Sequence, residues 1–187
     1  MKEQIESNEN TKRIAFLAPS GFGKSTAIKI LEPEYKLKNI KIATPLYELQ
    51  KAFYERIGMD IGDTQDGELL KFFGTKIRKE NPNFLLDEFL QELEIANKSG
   101  KYQLLTNDDC RIPDYPCLKD SGFVFVGIKG FTRLRGDHRP IDTKGSLEWQ
   151  SKIPIDYEVN NQGSLAEYEK NIKQTIKKIM DIKDNSL

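Results

Sequence analysis

The stretch APSGFGKST, residues 18–26, constrains this chain more than any other, and it stands directly behind the apolar run RIAFL at 13–17. A short apolar run, then glycines, then Ala27, Ile28 and Leu31 at helical spacing read as buried strand, tight loop and helix. That is the setting in which the pattern G-x-x-x-x-G-K-[ST] holds phosphate. The pattern fits 18–25 with one departure, Ala18 in place of its first glycine. Gly21 and Gly23 let the backbone turn successive N–H groups inward on an anion, and the following helix N-terminus adds partial positive charge. The loop residues Ser20, Gly21, Phe22 and Gly23 are thus expected to wrap the phosphates of ATP. Lys24 is expected at the β- and γ-phosphates, Ser25 on Mg²⁺ and Thr26 at the α-phosphate.

Four more strands follow from apolar runs bounded by turn residues: NIKIA (39–43), YQLLT (102–106), GFVFVGI (122–128) and IPIDYEV (153–159). Between them the apolar spacing is helical. Thr44 and Pro45 suit a cap and first turn for a helix ended by Gly58. A helix over 68–79 is expected to break near Gly74, and another starts at Asn81-Pro82. A short helix fits 114–121, and Ser164 with Glu167 makes a capping box for the last helix. Strands alternating with helices predict an α/β fold, a doubly wound parallel five-stranded sheet. The expected single domain has its core in 12–45 and 101–187, with a helical insertion at 46–100 and a mobile lid at 129–145.

Composition narrows the partners. Twenty-nine Lys plus Arg balance twenty-nine Asp plus Glu, so any anion site is local rather than a general basic surface. Cys110, Cys117 and the single histidine His138 argue against a zinc site or a disulfide scaffold. No run reaches the roughly 18 apolar residues of a membrane span, and the polar start does not read as a signal peptide. The expectation is a cytoplasmic protein without a membrane partner.

Phosphoryl transfer needs positioning and charge neutralisation. In a parallel sheet the functional edge lies at the strand C-termini. Asp109, just past the third strand, is a candidate to hold magnesium or accept a proton, and Arg111 to grip a phosphate. Lys129, Arg133, Arg135 and Arg139 against Asp137 make a locally basic segment suited to phosphate oxygens. Tyr47 and Arg78 on the helical insertion are candidate contacts for an acceptor, while Lys76 and Lys79 read as surface charges.

Five ordered stretches carry a resemblance: SGFGKST, KIATPLYELQKAF, LLKFFGTKIRKENPNFLLDEFL, DCRIPD, and GSLEWQ followed by YEVNNQGSLAEYEKNI. Over residues 12–180 the chain resembles the bacteriophage-type deoxynucleoside monophosphate kinases, within the P-loop nucleotide kinases. The resemblance implies transfer of the γ-phosphoryl of ATP, with Mg²⁺, to a (deoxy)nucleoside monophosphate, in the host cytoplasm if phage-encoded. It implies catalytic roles for Lys24, Asp109 and Arg111, and for Arg133 and Arg135 in the lid. It also implies adenine contacts near Asn161 and Gly163. The chain departs from the family at Ser25, often Asp there, and at Tyr47, a lysine there. It also departs at KGSLE, which lacks a histidine, and at Asp114-Tyr115, where the family has Asn-Glu. These departures keep two alternatives open: a kinase acting on a hydroxymethylated DNA base or another small alcohol, and an ATP-binding or ATPase module that is no kinase. A homodimer is left open as well.

Overall fold

The computed structural model describes residues 11–130 and 152–182. Five parallel strands form one sheet: β1 (Lys12–Leu17), β2 (Leu37–Asn39), β3 (Leu104–Asn107), β4 (Val124–Gly130) and β5 (Tyr157–Asn161). Their order is β2-β3-β1-β4-β5, and each neighbouring pair is parallel. Among the described residues they are accompanied by helices α1 (Lys24–Leu31), α2 (Thr44–Arg56), α3 (Gly67–Glu80), α4 (Phe84–Lys98), α5 (Tyr115–Asp120) and α6 (Leu165–Asp181), with a 3-10 turn at Ile112–Asp114. The expected α/β architecture and its five parallel strands are present. No helix among the described residues is long and apolar enough to cross a membrane.

The central strands β1, β3 and β4 are buried on both faces, which explains their continuous apolar runs, whereas the edge strand β5 alternates between exposed and buried residues. Ile14, Phe16, Leu104, Val126 and Ile128 pack with Ala27, Ile28 and Leu31 of α1 and with Tyr168, Ile172, Ile176 and Ile179 of α6. Ala15, Leu17, Leu105 and Phe125 pack with Leu46 of α2 and with Leu85, Phe89, Leu93 and Ala96 of α4. Burying each such large side chain contributes about 1.5–3 kcal/mol. Successive residues of β1 point to opposite layers, so this one strand ties the two cores together.

Several boundaries differ from the sequence reading, each for a visible reason. The strand expected at 39–43 stops at Asn39. Ile40 still donates its N–H to Thr106 O (2.8 Å), but the N–H groups of Ile42 and Ala43 are taken by the Asp109 carboxylate. A side chain thus replaces the neighbouring strand. The same contact relieves Thr44 of a capping role: it lies inside α2 and its hydroxyl donates to Lys41 O at 3.0 Å. Helix α3 runs unbroken through Gly74, which is buried. A Cβ there would lie 3.3 Å from both Leu46 Cδ1 and an Arg78 guanidinium nitrogen. This glycine serves close packing, not a break. The last strand begins at Tyr157 rather than 153. Asp156 N–H donates to Phe125 O, while Asp156 Oδ2 accepts from Phe125 N–H at 2.7 Å. Ile155 lies against Gly127, where a Cβ would be only 2.9 Å away.

Two features follow the sequence closely. Gly58, at φ +76°, follows the end of α2. Ser164 and Glu167 form the capping box of α6. Lys129 and Gly130 of the expected lid are the end of β4. Arg133, Arg135, His138 and Arg139 lie outside the described residues.

Candidate functional site

The strand order reverses at β1: the chain moves to β2 and β3 on one side, and to β4 and β5 on the other. In such sheets the crevice past the strand C-termini, at that switch, receives ligands. Residues 18–23 leave β1 at this point and lead directly into α1.

The loop has the backbone a phosphate nest requires. Gly21 (φ +82°) and Gly23 (φ +102°) both occupy the left-handed region, where a side chain is strained. Gly23 is also the N-cap residue of α1. A Cβ on it would come within 2.6 Å of Asn161 Nδ2 and 3.2 Å of the Tyr168 ring and hydroxyl. The Lys24 ammonium donates to Ala18 O (2.6 Å) and Pro19 O (3.1 Å), so it lies back over the entry of the loop.

Two distant residues brace this loop, and neither role was apparent in the sequence. Asn161, at the end of β5, donates its side-chain amide to Phe22 O at 2.9 Å. Tyr168, on α6, donates its hydroxyl to Gly23 O at 2.9 Å. Burial pushes the Tyr168 phenol well above its ordinary range, which keeps it a donor. The resemblance assigns the backbone near Asn161 to the adenine; its side chain holds the loop. Gly163 sits against the Glu167 carboxylate of the capping box, which a Cβ there would displace. In the sequence Tyr168 carries only the period of a core face, so nothing local announces its hydroxyl.

Beside the loop stands the end of β3. Asn107 is level with Ala15 of β1, so the next residue emerges alongside the strand that feeds the loop. That residue, Asp108, is buried, and its Oδ2 accepts from the Ser25 hydroxyl at 3.2 Å. Its Oδ1 accepts from Asn39 Nδ2 at 3.0 Å and lies 3.5 Å from the Lys41 ammonium. The carboxylate facing Ser25 is therefore that of Asp108, where the sequence reading had placed Asp109. Both oxygens of Asp109 are engaged elsewhere. They accept from Ile42 N–H (3.0 Å), Ala43 N–H (2.8 Å) and Asn107 Nδ2 (2.8 Å). Burial raises the Asp109 carboxyl, and these hydrogen bonds oppose that rise. Of the two acids past the end of β3, it is Asp108 that meets the loop, while Asp109 is held by the amides at 42–43. Asn107, fully buried, completes the turn by donating to Ile40 O and accepting from Cys110 N–H.

The acceptor-side candidates come from three more segments. Arg78, near the end of α3, has a guanidinium nitrogen 3.9 Å from the buried Asp114 carboxylate. Asp114 in turn accepts from Arg111 N–H at 3.0 Å. Burial raises the Asp114 carboxyl, while the Arg111 amide and the Arg78 charge lower it. Tyr47, on the first turn of α2, lies under the Lys41 ammonium, 5.8 Å from ring centroid to nitrogen. Its phenol is raised by burial first, and feels the charges of Lys41, Asp109, Asp108 and Arg111 in turn. Tyr47, Arg78 and Arg111 are thus gathered around Asp108 and Asp114, together with Lys41, which the sequence reading had not singled out. Lys76 pairs with Glu80 on the outer face of α3.

A divalent ion suits part of this arrangement. A hydroxyl and a carboxylate are hard oxygen donors of the kind that magnesium takes beside phosphate oxygens and water. Among the described residues no group of three or more His, Cys, Asp or Glu side chains forms a metal cage; the hydroxyl and carboxylate that meet here are those of Ser25 and Asp108.

No family model matches this chain, and no curated protein matches it. Solved structures do. The shikimate kinase of Aquifex aeolicus superimposes with a TM-score of 0.47 at 18% identity, over 89% of this chain and 95% of that one. A gluconokinase from Sinorhizobium meliloti gives 0.44 at 13% identity, over 92% and 94%. The shikimate kinase of Acinetobacter baumannii, solved with shikimate, gives 0.44 at 11%, over 92% and 94%.

Proposed function

We propose that this protein is an ATP-dependent phosphotransferase that moves the γ-phosphoryl of ATP to a (deoxy)nucleoside monophosphate. The observation that carries this reading is the Ser25 hydroxyl on the Asp108 carboxylate, beside a loop with Gly21 and Gly23 in left-handed conformations. The order and spacing of the resembling stretches supply the acceptor class.

In this reading the amides of residues 20–25 and the N-terminus of α1 bind the triphosphate. Lys24 leaves the Ala18 and Pro19 carbonyls for the β- and γ-phosphates. Ser25 and Asp108 hold Mg²⁺, which neutralises charge on the phosphates. Thr26 meets the α-phosphate. Asp109 acts by shaping the turn at 42–43 rather than by touching the metal. Arg78 and Arg111 receive the acceptor phosphate, and Tyr47 lies beside it. By the resemblance, Arg133 and Arg135 stabilise charge on the transferring group, Arg139 contacts ATP, and the backbone near Asn161 and Gly163 borders the adenine. A phosphate monoester is already nucleophilic, so the site needs orientation and charge more than a strong base.

The test is a panel of ribo- and deoxyribonucleoside monophosphates, together with hydroxymethylated DNA, incubated with ATP–Mg²⁺. ADP release and product mass are read together. The expected result is a nucleoside diphosphate from at least one monophosphate. ADP release indifferent to every acceptor would replace the kinase with an ATPase. A phosphorylated DNA base, with activity falling steeply as salt rises, would move the acceptor to DNA.

A further inference from the structure

The site holds a cation, Lys41, to which the phosphate-loop pattern gives no role and which enters the resemblance only as the first residue of KIATPLYELQKAF. Lys41 follows β2 and reaches Asp108 Oδ1 at 3.5 Å. The Asp108 side chain is 4% exposed and that of Lys41 is 32% exposed, so a partly solvated ammonium meets a buried carboxylate. Asn39 donates to the same Oδ1, and Thr106 Oγ1 donates to Asn39 Oδ1 at 3.2 Å. Ser25 holds the other oxygen. From the same position the Lys41 ammonium lies 5.8 Å from the centroid of the Tyr47 ring, so it stands between Asp108 and the side proposed for the acceptor.

We propose that Lys41 is a tethered cation that competes with the divalent ion for Asp108, and so couples the nucleotide side of the site to the acceptor side. The inference rests on the phosphotransferase reading. Two cations drawn to one buried carboxylate repel each other at short range, in a medium that screens less than water. A divalent ion at Asp108 therefore pushes the Lys41 ammonium off Oδ1 and further toward the Tyr47 side, where an anionic acceptor gives it a new partner. Linkage makes the effect reciprocal: an anion that draws Lys41 away from Asp108 tightens the binding of the metal. Lys41 is a positioning residue in this scheme, because it acts through Asp108.

The experiment measures Mn²⁺ binding by electron paramagnetic resonance on the full chain saturated with a non-hydrolysable ATP analogue. It is run with and without inorganic phosphate as the acceptor-side probe. Wild type is expected to bind Mn²⁺ several-fold more tightly when phosphate is present. Lys41→Met is expected to bind Mn²⁺ about tenfold more tightly without phosphate, and to lose its response to phosphate. Lys41→Arg should retain that response. Circular dichroism checks the fold of each variant, with Lys41→Gln as the substitute should the methionine disturb it. Mn²⁺ affinity in the neutral variants that equals wild type, or falls below it, overturns the inference alone. A wild-type chain that does not take up the ATP analogue overturns the phosphotransferase reading, and this inference with it.

Discussion

The two halves of the proposed site, one for the nucleotide and one for the acceptor, are built differently. The nucleotide side is a contiguous loop, residues 18–26, whose glycine conformations and helix start are set within a few residues of one another. The acceptor side is assembled from the turn after β2, the starts of α2 and the 3-10 turn, the end of α3 and the end of β3. A contiguous loop depends on the surrounding fold mainly for bracing, here by Asn161 and Tyr168. An assembled half depends on it for its existence. Mutations should divide accordingly. Changes in the loop should remove chemistry and leave the fold, whereas changes in the assembled half should mix chemistry with stability.

The sharpest break is expected at Lys24. Lys24→Ala should lower kcat/KM by about 10³-fold, the scale of losing one preorganised charge-stabilising donor, with the melting temperature within a few degrees of wild type. Unchanged turnover would remove the loop from the chemistry. Asp108→Asn should follow, with a loss of about 10²-fold and a raised requirement for Mg²⁺, read from the magnesium dependence of ADP release.

Asp109→Ala tests the division between neighbours. It strips acceptors from the Ile42 and Ala43 amides, so urea unfolding should show about 2–3 kcal/mol less stability. Activity per folded molecule should fall less than in Asp108→Asn. The reverse ranking would return the metal role to Asp109. On the acceptor side, Arg78→Met should raise the acceptor KM about tenfold and leave the KM for ATP unchanged, as loss of a charge-assisted contact to phosphate would. The smallest effect belongs to Tyr168→Phe. Losing its bond to Gly23 O should cost about 1 kcal/mol and weaken ATP binding a few-fold without touching the acceptor. An equal effect on both substrates would show that the brace serves the whole crevice.

Legibility in the sequence followed the same division. The final helix could be read because its signals are local: Ser164 and Glu167 at the start, then Tyr168, Ile172, Ile176 and Ile179 along one face. The NIKIA stretch was misleading because its apolar pattern continues past the point where pairing with β3 ends. Ile40 and Ile42 remain in the core although the strand has stopped at Asn39. Gly74 looked like a break because propensity disfavours glycine within a helix, yet Leu46 and Arg78 occupy the space a side chain would need.

The amino-acid sequence alone determined the strand–loop–helix cradle, because bond rotations at Gly21 and Gly23 and the first turn of α1 are matters of neighbouring residues. It also determined the alternation of strands and helices, through the spacing of apolar side chains. Only the tertiary structure decided which acid faces Ser25. Asp108 and Asp109 are chemically alike and adjacent. The register of β3 against β1, and two backbone amides at 42–43 in need of an acceptor, separate their tasks. The same holds for Lys41, whose meeting with Asp108 joins residues brought together by the pairing of β2 with β3.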